Sequence, residues 1–150
     1  MSDLTHINAE GEAQMVDVSV KPIQSREAMA RGEIHLSKVT LDAIERGETV
    51  KGNVLVTARL AGIMAAKKTA ELIPLCHPLS VTHIEVDFKI LDSRDRIIIT
   101  SLVRVAAKTG VEMEALTAVS IAALTIYDMC KAIDKGMVIS GVKVTSKTKR

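Results

Sequence analysis

Residues 83–105 read HIEVDFKILDSRDRIIITSLVRV, and this stretch holds the pattern that decides the fold. Residues 83–90 alternate strictly between polar and apolar side chains, which is typical of a β-strand with one buried face. The sequence DSRD at 92–95 predicts a turn, after which residues 96–105 run back as the hairpin partner. Because one face of the hairpin is polar, we expect the helices to cover only the other side of the sheet.

The flanking segments complete the order of elements. Residues 27–36 are predicted to form a strand, residues 40–45 a short helix capped by Thr40 and ended by Gly47, and residues 53–72 a longer helix ended by Pro74. A long helix is predicted over 109–136 and a last strand over 137–146. The resulting order, βαββαβ, predicts an α+β domain of the ferredoxin-like type, with one antiparallel sheet and helices on one face.

Composition limits the classes of function. A length of 150 residues predicts a single domain, residues 1–150, with a looser N-terminal arm and flexible ends at residues 1–14 and 146–150. A net charge of +2 and the near absence of aromatic side chains argue against a nucleic-acid partner. The longest uncharged run in the second half, residues 115–127, is too short to span a membrane. The polar first 14 residues and only two cysteines favour a reduced, cytoplasmic chain without a signal peptide or disulfide framework.

The sequence LIPLCHP at 72–78 places Cys76 beside His77 between two prolines. Each proline fixes its own φ and favours extended backbone before it, so a rigid, non-helical loop is expected. A metal site is disfavoured, because structural zinc sites recruit further cysteines or paired histidines and the only other cysteine is Cys130. Adjacent side chains also point in different directions, which argues against a nucleophile–base pair. A ligand-binding loop remains, with a buried structural histidine as the alternative.

The predicted long helix carries charges only near its two ends. Thr109 and Glu112 fit a T-x-x-E capping box, so a capping role is one interpretation of Glu112. Glu114 leads into a segment that is apolar on every side and is therefore expected to be buried. Asp128 and Lys131, at i and i+3, form either a surface ion pair or a partly desolvated pair in which the lysine pKa is lowered towards neutrality.

Further cations are candidates for binding a polyphosphate, with ordinary solvated charge as the alternative for each of them alone. They are Lys51, Lys67, Lys68 and Arg26. No phosphate-binding loop of the G-x-x-x-x-G-K-[ST] type is present in the sequence.

Several uncommon motifs together resemble the MoaC family of molybdenum-cofactor biosynthesis, over residues 15 to 145. They are MVDVS at 15–19, KGNV at 51–54, AGIMAAKKT at 61–69, LIPLCHPL at 72–79, KTGVEMEALTAVS at 108–120 and LTIYDMCKA at 124–132. Asn53 stands where the family usually has aspartate, and the chain ends at SKTKR where many members continue. Lys147 falls at the family's last basic position.

The resemblance implies an enzyme, a phosphorus–oxygen lyase. Such an enzyme converts 3′,8-cyclo-7,8-dihydro-GTP to cyclic pyranopterin monophosphate and releases pyrophosphate. The resemblance implies no metal or redox cofactor. It also implies a substrate made by an upstream radical GTP cyclase, and a homohexamer built as a trimer of dimers. A non-catalytic regulator that binds a nucleotide and oligomerises is the competing class of function.

The resemblance also implies roles for individual residues. The central catalytic residues are Asp128 and Lys131, with Lys51 beside them. The substrate site is lined by Leu75, Cys76, His77, Met113 and Glu114, and the helpers for proton transfer or for the triphosphate are Glu112, Arg26 and Lys67.

Helix geometry conflicts with a site inside one chain. Glu114 and Asp128 are 14 positions apart, so a straight helix separates them by ~21 Å along its axis while placing them within ~40° around it. We therefore expect each site to lie at a dimer interface, with Glu114 from one subunit and Asp128 from its neighbour. The apolar face of residues 115–126 is expected to supply part of that contact. A break in the helix is the alternative.

Overall fold

The computed structural model describes residues 4–150, which contain four strands and four helices. They are β1 (Gln24–His35), α1 (Lys38–Arg46), α2 (Val54–Lys67), α3 (Thr69–Leu72), β2 (His83–Ile90), β3 (Arg96–Ala107), α4 (Glu112–Cys130) and β4 (Val138–Lys149). The strands form one antiparallel sheet in the order β2-β3-β1-β4. The α+β class is confirmed, but the order of elements differs from a plain βαββαβ chain because three helices separate β1 from β2.

The predicted hairpin is confirmed. Strands β2 and β3 pair in register from His83 with Arg104 to Ile90 with Ile97. Arg94, in the turn, has a φ of 56° and donates hydrogen bonds to Asp42 and to Glu45 of α1. The turn therefore also holds α1 against the end of the sheet.

Helices α2 and α4 cover the same face of the sheet. Ser101 of β3 donates a 2.7 Å hydrogen bond to the carbonyl of Ala115 in α4, and Val86 of β2 lies against Gly62 of α2. Val86 and Ser101 are paired in register and so share one face. On the other face of β2 the polar side chains are exposed, as the alternation predicts.

Small residues let α4 approach both of its neighbours closely. A Cβ on Gly32 of β1 would lie 2.7 Å from a methyl group of Val119, and a Cβ on Gly62 of α2 would lie 2.8 Å from the carbonyl oxygen of Ala118. As a result α4 is the centre of the core, between the sheet and α2. It is also the one helix of residues 4–150 that is long and apolar enough to cross a membrane, and more than half of it is buried within the fold.

Two predicted details of α1 and α2 need correction. The N-cap of α1 is Ser37, whose hydroxyl accepts a hydrogen bond from the backbone of Thr40, so the predicted cap at Thr40 is wrong. Thr40 is instead buried and donates to Asp134. The predicted stop at Gly47 is confirmed, with a left-handed φ of 68°. The helix predicted over 53–72 is interrupted at Lys68 and continues as α3.

The start of α4 also differs from the prediction. The helix begins at Glu112 with Val111 as N-cap and no side-chain capping bond, so the predicted capping box is wrong. Glu112 is the first helical residue, too early to reach back to Thr109, and its carboxylate pairs with Lys147 of β4. The helix ends at Cys130, six residues before the predicted end at Gly136.

Segments near both ends of the described chain contact the rest of the fold. Strand β4 continues to Lys149 alongside β1, so residues 146–149 are strand residues. The carbonyl of Val16 contacts the His77 ring, and the carbonyl of Ser19 accepts a 2.9 Å hydrogen bond from Lys108. The looser N-terminal arm is therefore not confirmed. The single domain with flexible ends stays a prediction.

The close approach of α2 and α4 generates a stability prediction. Gly62→Ala is expected to lower the free energy of unfolding by about 1–2 kcal/mol, although alanine favours helix more than glycine does. The reason is that the new methyl group meets a backbone oxygen, which cannot rotate away as a side chain can. Urea unfolding measures the effect. Gly136→Ala is the control, because its nearest contact would be at 3.9 Å, and an equal loss in both variants would contradict the account.

Candidate active site

The predicted site residues fall into two groups at opposite ends of α4. The first, here called the N-terminal cluster, consists of the start of α4 and the loop that carries Cys76 and His77, with Arg26 and Lys67 nearby. The second, the C-terminal cluster, consists of Lys51, Asp128 and Lys131. Because α4 runs unbroken from Glu112 to Cys130, Glu114 and Asp128 are separated by ~21 Å along the helix axis within one chain. The structure does not bring all predicted site residues together.

The loop of Leu75, Cys76 and His77 lies in a groove of about 810 Å³. Cys76 Sγ is 4.0 Å from Glu114 Oε1, whereas His77 Nε2 is 2.5 Å from the carbonyl oxygen of Val16. The two neighbouring side chains therefore contact different residues. The groove is also lined by N-terminal residues, by Met113 and by the β3–α4 connection.

The contact with Val16 indicates which ring nitrogen of His77 carries a hydrogen. A carbonyl oxygen only accepts hydrogen bonds, so Nε2 carries a hydrogen. In the neutral ring Nδ1 is then the acceptor, and it is the nitrogen left for a ligand. No sequence pattern could have revealed this contact, because the residue at 16 contributes only its backbone.

Glu114 is buried, with 3 % of its surface exposed. Burial raises the pKa of its carboxyl to about 6, and the charge of Glu112 adds to the rise against a backbone hydrogen bond that lowers it. Within the described residues, Glu114 Oε2 has no hydrogen-bond partner. Such a carboxyl can hold or release a proton close to neutral pH.

Cys76 is disfavoured as a nucleophile in this environment. Burial, followed by the negative charges of Glu114 and Glu112, raises the pKa of its thiol. Since the thiolate is the reactive form, the neutral thiol acts as a wall of the groove and a weak hydrogen-bond donor.

Glu112 joins the groove to a second, basic cavity. Its Oε1 accepts a 3.2 Å hydrogen bond from Lys147, while its Oε2 has no partner among residues 4–150. The second cavity has a volume of about 530 Å³ and shares five lining residues with the groove, so the two form one continuous cleft. The shared residues are Lys21, Thr109, Gly110, Glu112 and Lys147.

The basic cavity contains cations that sequence reasoning largely missed. Arg26 was predicted, and its guanidinium is fixed by hydrogen bonds to the carbonyls of residues 107 and 108. Lys21 and Lys149 were not singled out. A signal for Lys149 existed, because Lys147 and Lys149 are two apart and share one face once β4 is extended through them.

Lys67 lies near the same end of α4. It lines a small cavity of about 110 Å³ together with Pro78, Leu79 and Glu114. This places the end of α2 beside the start of α4, so the two helices are antiparallel.

In the C-terminal cluster, one carboxylate joins two ammonium groups. Asp128 Oδ2 lies 2.8 Å from Lys51 Nζ, and Asp128 Oδ1 lies 2.9 Å from Lys131 Nζ. The hydrogen bond from Lys51 and then that from Lys131 hold the pKa of Asp128 below its ordinary value. Of the two alternatives for this pair, the exposed ion pair describes the chain alone, because the side chain of Lys131 is 56 % exposed. Within the chain such an exposed pair contributes little to stability, because water screens the attraction between the charges.

Nothing in the described part of the chain resembles a metal centre. Residues 4–150 contain no group of three or more His, Cys, Asp or Glu side chains placed to hold a metal ion. Cys76 and Cys130 are free thiols.

Comparison with known proteins gives consistent matches over almost the whole chain. The model of the MoaC family matches residues 15–150. A cyclic pyranopterin monophosphate synthase of Desulforapulum autotrophicum is 55 % identical over 148 residues, which cover 99 % of this chain and 91 % of that protein. The proteins of the same name from Roseiflexus castenholzii and Roseiflexus sp. are 53 % and 55 % identical, covering 99 % of this chain and 94 % of each relative.

The buried Glu114 carboxyl generates a pH prediction. Its folded pKa of about 6 lies above the ordinary 4.5, so the folded state keeps the proton longer and stability falls as pH rises from 4.5 through 6. Glu114→Gln should remove that loss. The variant is then expected to gain about 1–2 kcal/mol relative to the parent between pH 4.5 and 7.5.

Urea unfolding of both proteins at equal concentration across this pH range measures the difference. The exposed Glu48→Gln is the matched control, and its difference from the parent should stay flat. A flat difference for Glu114→Gln as well would show that the Glu114 carboxyl titrates normally.

Proposed function

This chain belongs to the MoaC family, and we propose that it acts as a cyclic pyranopterin monophosphate synthase in molybdenum cofactor biosynthesis. The observation that carries the proposal is the 53–55 % identity to enzymes of that name across 99 % of the chain. The reaction converts 3′,8-cyclo-7,8-dihydro-GTP to cyclic pyranopterin monophosphate and releases pyrophosphate, which makes the enzyme a lyase. An upstream radical GTP cyclase supplies the substrate.

The C-terminal cluster is assigned the central proton transfers. Ring opening, ring formation and phosphate cyclisation each require protons to be moved. Lys131 acts as the general acid or base, and Asp128 orients it through their 2.9 Å contact. Lys51, on the other oxygen of Asp128, completes the cluster.

The N-terminal cluster is assigned to substrate binding. His77 offers Nδ1 to the purine-derived part, beside Leu75, Cys76 and Met113. Glu114 is the carboxyl able to exchange a proton near neutral pH. The cations of the cleft, among them Arg26 and Lys147, bind the triphosphate and stabilise the leaving pyrophosphate, with Lys67 close by. The groups named here need no metal or redox cofactor to perform these steps.

Each active site is shared between two subunits. The two clusters lie ~21 Å apart on one unbroken helix, which is too far for one small molecule to contact both within a chain. The exposure of Lys131 supports the same arrangement, because only burial by a neighbour would desolvate its ammonium group. The assembly implied by the family is a hexamer built as a trimer of dimers.

Only part of the apolar face of residues 115–126 is available for the proposed dimer contact. Most of it is buried within the chain, against the sheet and α2, and Leu124 is its exposed member. Further exposed apolar side chains are available along α2, at Val56, Leu60 and Met64. The three side chains on α2 are spaced i, i+4, i+8, so they form a stripe along one face of the helix that is suited to a subunit contact.

Two broader assignments accompany the function. The strand order and the helices on one face support classification as a ferredoxin-like domain with additional helices. The enzyme is assigned to the cytoplasm, without a nucleic-acid or membrane partner.

The catalytic assignment predicts loss of turnover. Lys131→Ala and Asp128→Ala should each reduce pyrophosphate release from the cyclised GTP substrate by at least about 10²-fold while leaving the circular dichroism spectrum unchanged. The exposed Lys89→Ala, on the polar face of β2, is the control and should retain activity. Tight substrate binding by the parent protein without turnover would instead support a non-catalytic regulator. Near-normal turnover in either variant would place the catalytic centre elsewhere.

The shared site predicts complementation. Glu114→Ala and Lys131→Ala proteins, each inactive, are mixed in equal amounts under conditions that exchange subunits. Half of the dimers are then mixed, and each holds one intact site of two, so about a quarter of the parent activity should return.

A cis control sharpens that experiment. The chain carrying both substitutions is mixed equally with the parent chain. If the site is shared, the mixed dimers are inactive and only the parent dimers, about a quarter of the total, keep their activity. If the site lies within one chain, about half of the activity remains. No recovery in the first mixture together with half activity in the second would place each site within a single chain.

A further inference from the structure

Gly110 lies in the connection between β3 and α4, at the place where the groove meets the basic cavity. Its backbone does not demand glycine. The described glycines with positive φ are Gly11, Gly47, Gly52 and Gly141, and Gly110 is not among them. Any L-residue can therefore adopt this backbone conformation, and the reason for a glycine must lie in the surrounding space.

The space beside Gly110 is occupied by two side chains of the N-terminal cluster. A Cβ at residue 110 would overlap Glu112 Oε2, and would lie 3.2 Å from Glu112 Cδ and 3.3 Å from Lys147 Cε. The Glu112 carboxylate thus sits where the side chain of residue 110 would be. The same two side chains form the 3.2 Å ion pair.

This contact differs in kind from those of the glycines in the core. At Gly62 the atom in the way is a backbone oxygen of α4. At Gly110 it is the free end of a glutamate side chain, which can rotate away without disturbing the fold. A Cβ at residue 110 should therefore displace the carboxylate and leave the protein folded.

Only one oxygen of the Glu112 carboxylate is held by a hydrogen bond. Lys147 holds Oε1, whereas Oε2 is buried and has no partner among the described residues. A buried carboxylate oxygen without a partner is costly, and a donor from outside the described residues would relieve that cost. Glu112 and Gly110 line both cavities of the cleft, which makes a donor group of the bound ligand the candidate.

We propose that Gly110 is a positioning residue: its missing side chain leaves the space in which Lys147 holds the Glu112 carboxylate, with Oε2 reserved for a hydrogen-bond donor of the substrate. This inference rests on the proposed function for the identity of the substrate, but its geometric part does not. Glu112 is the group that binds, and Gly110 acts only through it.

A double-mutant cycle on substrate affinity tests the proposal. All variants carry Lys131→Ala, so that the cyclised GTP derivative binds without turnover, and its Kd is measured by calorimetry. Gly110→Ala is expected to weaken binding by about 10-fold, the size expected when a hydrogen bond to a charged group is lost. In a background that also carries Glu112→Ala, the same substitution should change Kd by less than about 2-fold, because the carboxylate it displaces is gone.

Activity and stability separate positioning from folding. In the otherwise unchanged enzyme, Gly110→Ala should raise KM and leave the urea midpoint close to that of the parent. Gly136→Ala, whose nearest contact would be at 3.9 Å, is the control and should alter neither. An equal loss of affinity with and without the Glu112 side chain would overturn the proposal, as would an unchanged Kd in Gly110→Ala.

A readout without substrate distinguishes this inference from the proposed function. In a ligand-free crystal structure of Gly110→Ala, the Glu112 Oε1–Lys147 Nζ separation should increase from 3.2 Å to beyond about 4 Å. A pair that stays intact beside the new methyl group would refute the positioning role, whatever the substrate. Failure of the parent protein to bind or convert the cyclised GTP derivative would refute the proposed function and leave this geometric test in force.

Discussion

Close packing of α4 against the sheet on one side and α2 on the other is the constraint on which the rest of the structure depends. At the closest points a glycine faces α4, Gly32 of β1 against Val119 and Gly62 of α2 against Ala118, so a larger side chain at either glycine would overlap α4. Between Glu114 and Asp128, α4 carries no acidic or basic side chain. Its polar groups there are hydroxyls, of which those of Thr117 and Thr125 donate to backbone carbonyls of the helix. Ionisable chemistry is consequently confined to the two ends of the helix.

The two ends provide different electrostatic environments. At the N-terminus, Glu112 and Glu114 lie where the helix dipole favours negative charge, yet burial raises the pKa of Glu114 to about 6. At the C-terminus, Asp128 is held ionised by two lysines in contact with water. The N-terminal end therefore carries a buried carboxyl group that is suited to binding a ligand and exchanging a proton with it. The other carries an exposed ion pair, which the proposed assembly would desolvate by placing a neighbouring surface over it.

The local patterns in the sequence predicted much of the fold, and long-range contacts account for the errors. Strict alternation over 83–90 was enough to predict the hairpin, and Gly47 was enough to predict the end of α1. The capping box failed because Glu112 finds a partner 35 residues away, at Lys147, which no local pattern encodes. The sequence also does not reveal that α2 and the sheet cover most of the apolar face of α4 and leave Leu124 exposed.

In the proposed assembly the two ends of α4 meet across a subunit interface to make one site. A crystal structure of the Lys131→Ala variant with the cyclised GTP derivative bound measures this directly. The ligand is expected to contact the Cys76–His77 loop and Glu114 of one subunit and Asp128 of its neighbour, with these carboxylates much closer across the interface than the ~21 Å that separates them within a chain. A ligand that touches one cluster only, with the other cluster of every subunit facing solvent, would contradict it.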